Sequence, residues 1–467
     1  MTVISTFKNY FMKNIVLLFS ILISILIGAM ECYFAQVKVP EWTKNATIYE
    51  VNIRQFSPEG TFVAFQNQLP SLKEMGVDIL LLMPIHPIGE LNRKGRLGNC
   101  YAVRDYKGIN PEFGSIYDFR VLVKEAHKQG FKIIIDWVAN HASPDNSWVG
   151  LGHKDWFNLD SLGNPQAPIG GEWEDVAELN FDNKAMRKEM IDAMKYWVSE
   201  MDVDGFRCDA AVWPSMNVVW PSMDFWKQTR NELYKIKPVI MLADAEAPLL
   251  HNAFDMTNAR EFNQLMYGIA QGEKNSADLR KYLEDEKKYP VGSIRMHYTT
   301  NHNENSWSGT EKERFGDARF LLAVLSATFQ GMPLVYNGQE ASLDKRLRLY
   351  DKDTIDWSKM DLVSFYTKLL KLHQTNQALW NGPFGGEVQF VSDTNITNVF
   401  AYIRIKNDQK VLCVLNTSNS KQSIRLNGEQ VAGKYLELFS SKKKRLKNGM
   451  RIKLGPWGYR VYHLSSN

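Results

Sequence analysis

From about residue 42, short apolar runs alternate with stretches of amphipathic helix spacing. Apolar runs of four to eight residues mark strands, and apolar positions three and four apart mark one buried helix face. Ala46–Phe56 reads as a strand and Leu69–Met75 as part of a helix. Val77–Pro84 is apolar except for Asp78, as expected of a strand buried on both faces. A helix containing Tyr117–Gln129 and a strand at Lys132–Val138 follow. Residues 142–182 are richer in Gly, Pro, Asp and Trp and read as irregular. The alternation resumes with the helix Lys184–Met201, the strand Asp204–Asp209, a helix near Met223–Lys235 and the strand Val239–Ala243. A short strand near Ala253–Met256, a helix around Ser276–Lys287, and the strand Arg295–Thr300 come next. The helix Arg314–Phe329, the strand Pro333–Tyr336 and the helix Leu362–Thr375 complete the series.

Eight βα units predict an α/β fold with a parallel sheet closed into a (β/α)8 barrel over residues 42–383, with an insertion at about 142–182. After residue 384 the pattern becomes Val388–Val391, Val399–Lys406, Lys410–Asn416, Ser423–Leu426, Gly433–Ser440 and Met450–Tyr462, separated by Gly, Asn, Asp and Ser turns. This predicts a small antiparallel β-sandwich domain at 384–467. Lys442-Lys443-Lys444-Arg445 reads as a solvated hairpin tip.

The 467 residues are too many for one ordinary core, which agrees with two domains. Net charge is +4, too weak to argue for nucleic acid or an anionic membrane. Aromatic residues make up 12%, which suits both a large core and the stacking of sugar rings. Residues 1–35 have the layout of a signal peptide: Lys8 and Lys13 precede an apolar run from Ile15 to Met30. We therefore expect export to the periplasm or outside the cell, and a membrane contact only if this segment stays uncleaved. Of the four cysteines, Cys32 lies in that segment; the remaining three, Cys100, Cys208 and Cys413, are odd in number and widely spaced, so no disulfide framework is expected.

Barrel active sites sit at the C-terminal ends of the strands. Here those ends read Asp136 to His141 on strand three, Gly205 to Asp209 on strand four, Ala243 to Glu246 on strand five and Asn301 to Asn305 on strand seven. Carboxylates, an arginine and two histidines thus converge on one rim. Glycosidic bond cleavage passes through an oxocarbenium-like state and needs one carboxylate at the anomeric carbon and one acid at the leaving oxygen. Arg207 lies two residues before Asp209, so the two point the same way from a strand. Spacing alone leaves two readings open, a nucleophile with its arginine or a structural ion pair.

These segments resemble the signature regions of the α-amylase family, glycoside hydrolase family 13. Asp136–His141, Gly205–Asp209 and Thr300–His302 resemble three of its regions. Glu178–Asp182 resembles the short motif of its inserted domain, and Gly331–Glu340 its eighth-strand segment. The resemblance implies that Asp209 is the nucleophile, with Arg207 beside it. It implies that His141 and His302 bond sugar hydroxyls and that Tyr101 stacks beneath the glucose at the cleavage point.

Three positions depart from the family pattern. The general acid is expected to be a Glu at the end of strand five, and alignment places Asp244 there; Glu246, two residues on, is the other candidate. Asn303 stands where the family has an Asp that grips two hydroxyls, and the neighbouring Glu304 points to the other face. Val212 and Trp213 replace a Lys-His pair after the nucleophile. No metal or other cofactor is expected; Asn140 is a calcium ligand candidate, but calcium takes six to eight oxygens. The sequence thus predicts a monomeric retaining hydrolase of α-linked glucans such as starch and maltooligosaccharides, working through a covalent glycosyl-Asp209 intermediate with reduced activity. Transglycosylation is a variant of the same chemistry. The alternatives are a degenerate glucan-binding protein and a membrane-anchored amylase-like partner subunit.

Overall fold

The computed structural model describes residues 39–168, 173–211, 221–392 and 397–464. The signal-peptide segment and Val212 and Trp213 lie outside them. Eight parallel strands close a barrel: β1 (Ile48–Val51), β2 (Ile79–Leu82), β3 (Lys132–Val138), β4 (Gly205–Asp209), β5 (Ile240–Ala243), β6 (Met256–Asn258), β7 (Ile294–His297) and β8 (Met332–Tyr336), with β8 paired back to β1. The expected α/β barrel class is what the chain adopts.

The continuous apolar strands follow from burial on both faces. In β2, Ile79 and Leu81 join a cluster inside the barrel with Ile48, Ile134 and Leu242. Leu80 and Leu82 join the outer cluster beneath the helices. Several of those helices carry side-chain N-caps and bury one apolar face. Helix α1 (Ile116–Lys128) starts with a reciprocal capping box between Ser115 and Asp118. Helix α2 (Lys184–Ser199) is capped by Asn183 and buries Met186, Met190, Met194 and Trp197. The irregular segment after β3 is closed at its base by antiparallel pairing of His141 with Glu178.

Four expectations are corrected. The first strand ends at Val51, and Ile53–Phe56 forms a single helical turn. There the buried Arg54 side chain donates to the Gly98 and Leu349 carbonyls and pairs with Glu112, which turns the chain out of the strand. The sixth strand lies at Met256–Asn258, later than expected, because a 3₁₀ turn at Pro248–Asn252 fills the gap after β5. The basic run is no hairpin tip: Lys443–Leu446 is the edge strand of the C-terminal sheet, paired with Gly433–Glu437. Charged residues suit such an edge, since they discourage pairing with another chain. Finally, Met450–Tyr462 is two strands, Arg451–Leu454 and Tyr459–Leu464, separated by a turn in which Trp457 has φ of 50°.

The C-terminal domain is a six-stranded antiparallel sheet with a two-stranded partner, Gln422–Arg425 against Arg451–Leu454. It shares a core with the barrel: Phe329 packs at a tilt against Phe400 and edge-on to Tyr402. Buried Arg404 donates to the Phe329 carbonyl at 2.7 Å and the Trp380 carbonyl at 3.1 Å. Cys100, Cys208 and Cys413 are buried free thiols.

Candidate active site

The alternation of β4 sends Phe206 and Cys208 outward and Arg207 and Asp209 inward. Gly205 begins this strand because any side chain there would overlap the Ile240 carbonyl of β5. Arg207 is 2% exposed and is the hub of the rim. Its Nη1 donates to both oxygens of Asp136, at 2.8 and 2.7 Å, and to Oδ1 of Asp209 at 3.0 Å. Its Nη2 lies 2.5 Å from Oδ2 of Asp244. Three strands therefore meet at one guanidinium, and Asp209 keeps 16% of its side chain open to solvent. The residue after it, Ala210, is held at φ 43°, a strained conformation of the kind found at functional sites.

Burial raises Asp136 and Asp209 above the ordinary carboxylate range, and Arg207 pulls both back down. The buried side of the site runs on from Asp136. Tyr101 Oη lies 2.9 Å from Asp136 Oδ2 and 2.7 Å from His302 Nε2. His302 Nδ1 lies 2.6 Å from Glu50 Oε1, and its backbone N–H donates to Glu50 Oε2 at 3.2 Å. Burial lowers His302, but Glu50 outweighs it and the net direction is upward. The rings of Tyr101 and His302 are stacked at 5.7 Å.

His141 lies at the base of the insertion. Burial pulls it down to about 4, against the nearby Asp175 carboxylate, so its ring is neutral at pH 7. Asp175 is itself held by Asn99 at 3.0 Å and Lys94 at 3.3 Å. Asn303 is exposed, just before a short π-helical turn at Glu304–Ser308.

The two strand-five candidates separate. Asp244 continues the inward face of Leu242, its backbone N–H bonds to Cys208, and its Oδ1 accepts from Asn258 Nδ2. Glu246, the other candidate for the acid, does not reach this cluster, which corrects its inclusion in the site. The strand ends at Ala243, so alternation no longer governs Glu246. Its carboxylate instead pairs with Arg295 at 2.5 Å and accepts the Glu261 N–H at 2.8 Å. Burial there pushes it up to about 7, with Arg295 opposing.

Glu50, Asn258 and Asp175 were not singled out from the sequence, and Asp136 was given no role of its own. Glu50 had a signal: it is a lone charge within the apolar run Ile48–Val51, on the same inward face as Ile48. As for calcium, Asn140 Oδ1 is buried without a hydrogen-bond partner, yet among the described residues no three His, Cys, Asp or Glu side chains gather to hold a metal ion.

A closed βα barrel with acids, an arginine and two histidines at its C-terminal rim defines a glycosidase-type site. The α-amylase catalytic domain model matches residues 39–158 and 171–365, and the maltogenic amylase C-terminal domain model matches 388–461. The chain belongs to the α-amylase family. It is 26% identical over 403 residues to the α-amylase MalA of Haloarcula japonica, covering 83% of this chain but only 57% of that protein. It is 25% identical to neopullulanase 2 of Thermoactinomyces vulgaris, covering 90% of this chain and 77% of that one. Among solved structures, the maltogenic α-amylase AmyB of Thermotoga neapolitana matches with a TM-score of 0.81 at 29% identity, covering 91% of this chain and 99% of that one. The α-amylase of Lactobacillus plantarum matches with a TM-score of 0.78 at 26% identity, covering 90% and 99%.

Proposed function

We propose that this protein is a retaining hydrolase of α-linked glucans, of the maltogenic or cyclomaltodextrin-cleaving kind, with Asp209 as nucleophile. One observation carries the reading: a part-open Asp209 carboxylate is aimed from a barrel strand end by a buried arginine 3.0 Å away. An arginine there favours the ionised form and fixes the rotamer, as attack on an anomeric carbon requires. Tyr101 supplies a ring beneath the sugar. His141 and His302 supply hydroxyl contacts, and Asn303 supplies an uncharged one. Asp244 is the acid by position. The relatives named for maltogenic, neopullulanase and cyclomaltodextrinase activities support the substrate class. The basic-then-apolar start of the chain supports export.

A second reading, a glucan-binding protein with little turnover, is favoured by the bonding of Asp244. Both its oxygens are engaged as acceptors, from Arg207 and Asn258. Giving a proton to a leaving oxygen requires it to break from Arg207. Its side chain is also shorter than a glutamate by about 1.5 Å. Release of reducing sugar from maltooligosaccharides and cyclodextrins, against an Asp209→Asn control, decides between the two. Release that vanishes in the control supports the hydrolase. No release, with maltooligosaccharides still raising the melting temperature, supports the binder.

A further inference from the structure

We propose that Glu50 is a positioning residue that keeps His302 doubly protonated, so that the hydrogen-bonded chain Glu50–His302–Tyr101–Asp136 holds one proton more than its neutral groups supply. The inference rests on the site reading above, and it follows from counting hydrogens. The chain has three links, of 2.6, 2.7 and 2.9 Å, and each needs one hydrogen. A neutral imidazole supplies one and the tyrosine hydroxyl another. With two protons, Tyr101 must either donate to Asp136 and face an unprotonated Nε2 across 2.7 Å, or donate to His302 and abandon the carboxylate. A third proton satisfies every link.

The end groups leave the imidazole as its home. Both oxygens of Glu50 are engaged, one with Nδ1 and one with the His302 backbone N–H. Both oxygens of Asp136 accept from Arg207, and Oδ2 also faces Tyr101. Burial raises Asp136, but a proton there would face two donors, Arg207 and Tyr101, whereas on the imidazole it faces the Tyr101 oxygen while Glu50 holds the other nitrogen. The charged and titratable groups around His302 are Glu50 on β1, Tyr101 on the loop after β2, Asp136 on β3, and Arg207 and Asp209 on β4; Tyr336 on β8 faces Glu50. Carboxylates outnumber the lone guanidinium, so a second cation is electrostatically welcome.

The extra proton fixes the direction of each bond. Nδ1–H donates to Glu50, Nε2–H donates to the Tyr101 oxygen, and the Tyr101 hydroxyl donates to Asp136. The Tyr101 oxygen is then clamped from both sides, with its ring plane held within 28° of that of His302. His302 also adds a positive charge that helps keep Asp209 ionised. Loss of the proton at alkaline pH frees Tyr101 to choose between two acceptors and loosens the floor of the cleft.

The test is a pH titration of the full chain labelled with ¹⁵N-histidine, with the His302 signals assigned from a His302→Gln sample. Both ring nitrogens of His302 are expected to be protonated at pH 7. Glu50→Gln, which keeps the shape and removes the charge, is expected to lower the His302 midpoint by about one to three pH units, the range for one close opposite charge. The alkaline limb of kcat/KM is expected to move by the same amount, whereas a merely structural residue would lower activity without moving it. An unprotonated Nε2 at pH 7 in the unmodified protein overturns the proposal, as does a Glu50→Gln midpoint that stays in place. Should Glu50→Gln not fold, Tyr101→Phe removes the acceptor of Nε2–H and is likewise expected to lower the midpoint. The hydrolase reading is judged separately, because the nitrogen titration needs no turnover. Hydrolysis with a neutral His302 sinks the proton count alone, and an imidazolium without hydrolysis sinks only the hydrolase.

Discussion

Replacing Arg207 with leucine removes the one cation that three carboxylates share. Its contacts to Asp136, Asp244 and Asp209 are 2.7, 2.5 and 3.0 Å long. At an effective dielectric of about 20, a single contact of 3 Å is worth roughly 5 to 6 kcal/mol before desolvation. Desolvation offsets much of this, and breaking a buried pair from one side costs about 3–5 kcal/mol. Asp136 is fully buried, and among the described residues its bonded partners are Arg207 and the neutral Tyr101, so the loss is expected at that scale. The pH dependence makes the test specific. Without Arg207, the Asp136 carboxyl rises further above its unfolded value. An acid raised in the folded state stabilises below its unfolded pKa and loses that contribution as pH rises through its folded pKa. Urea unfolding of Arg207→Leu and the unmodified protein should therefore differ by about 3–5 kcal/mol at pH 8, and by clearly less at pH 5. A difference under about 1 kcal/mol at pH 8, or one equal at both pH values, would refute the hub assignment.

Three further outcomes are expected. Asp244→Glu with Asn303→Asp should raise kcat on maltooligosaccharides by about 10²-fold or more, the scale of one misplaced or missing catalytic group, and an unchanged kcat would show that the acid lies elsewhere. Glu246→Gln should leave kcat/KM within about threefold and lower stability by roughly 1–3 kcal/mol, as Arg295 loses a partner; a loss of two orders of magnitude in rate would return Glu246 to the acid role. Acid should unfold the protein mainly below pH 4.5. Between pH 6.5 and 4.5, buried histidines that stay neutral when folded work against carboxyls such as Glu246 and Glu340, raised to about 7 by burial. Below that, His86 and His141 at about 4, and His251, His297 and His373 at about 3, still take up protons mainly on unfolding, so stability falls with pH. A melting temperature flat down to pH 3 would contradict this.

Periodicity and local chemistry were enough to identify the barrel, the insertion and the β domain. A strand buried on both faces must be apolar throughout, a helix must carry an apolar stripe, and both are local patterns. They were also enough to place Arg207 and Asp209 on one face, because strand alternation holds wherever the strand does. Alternation failed where the strand stopped. Alternation would put Asp244 and Glu246 on one face, yet only Asp244 meets Arg207, because the chain leaves β5 at Ala243 and Arg295 captures Glu246. Glu50 and His302 are 252 positions apart, and Asn258 reaches Asp244 from the neighbouring strand. Which buried charge meets which partner is set by closure of the barrel, which brings β1 beside the loop after β7. No local pattern encodes that meeting, since its energy comes from groups that become neighbours only once water is excluded between them.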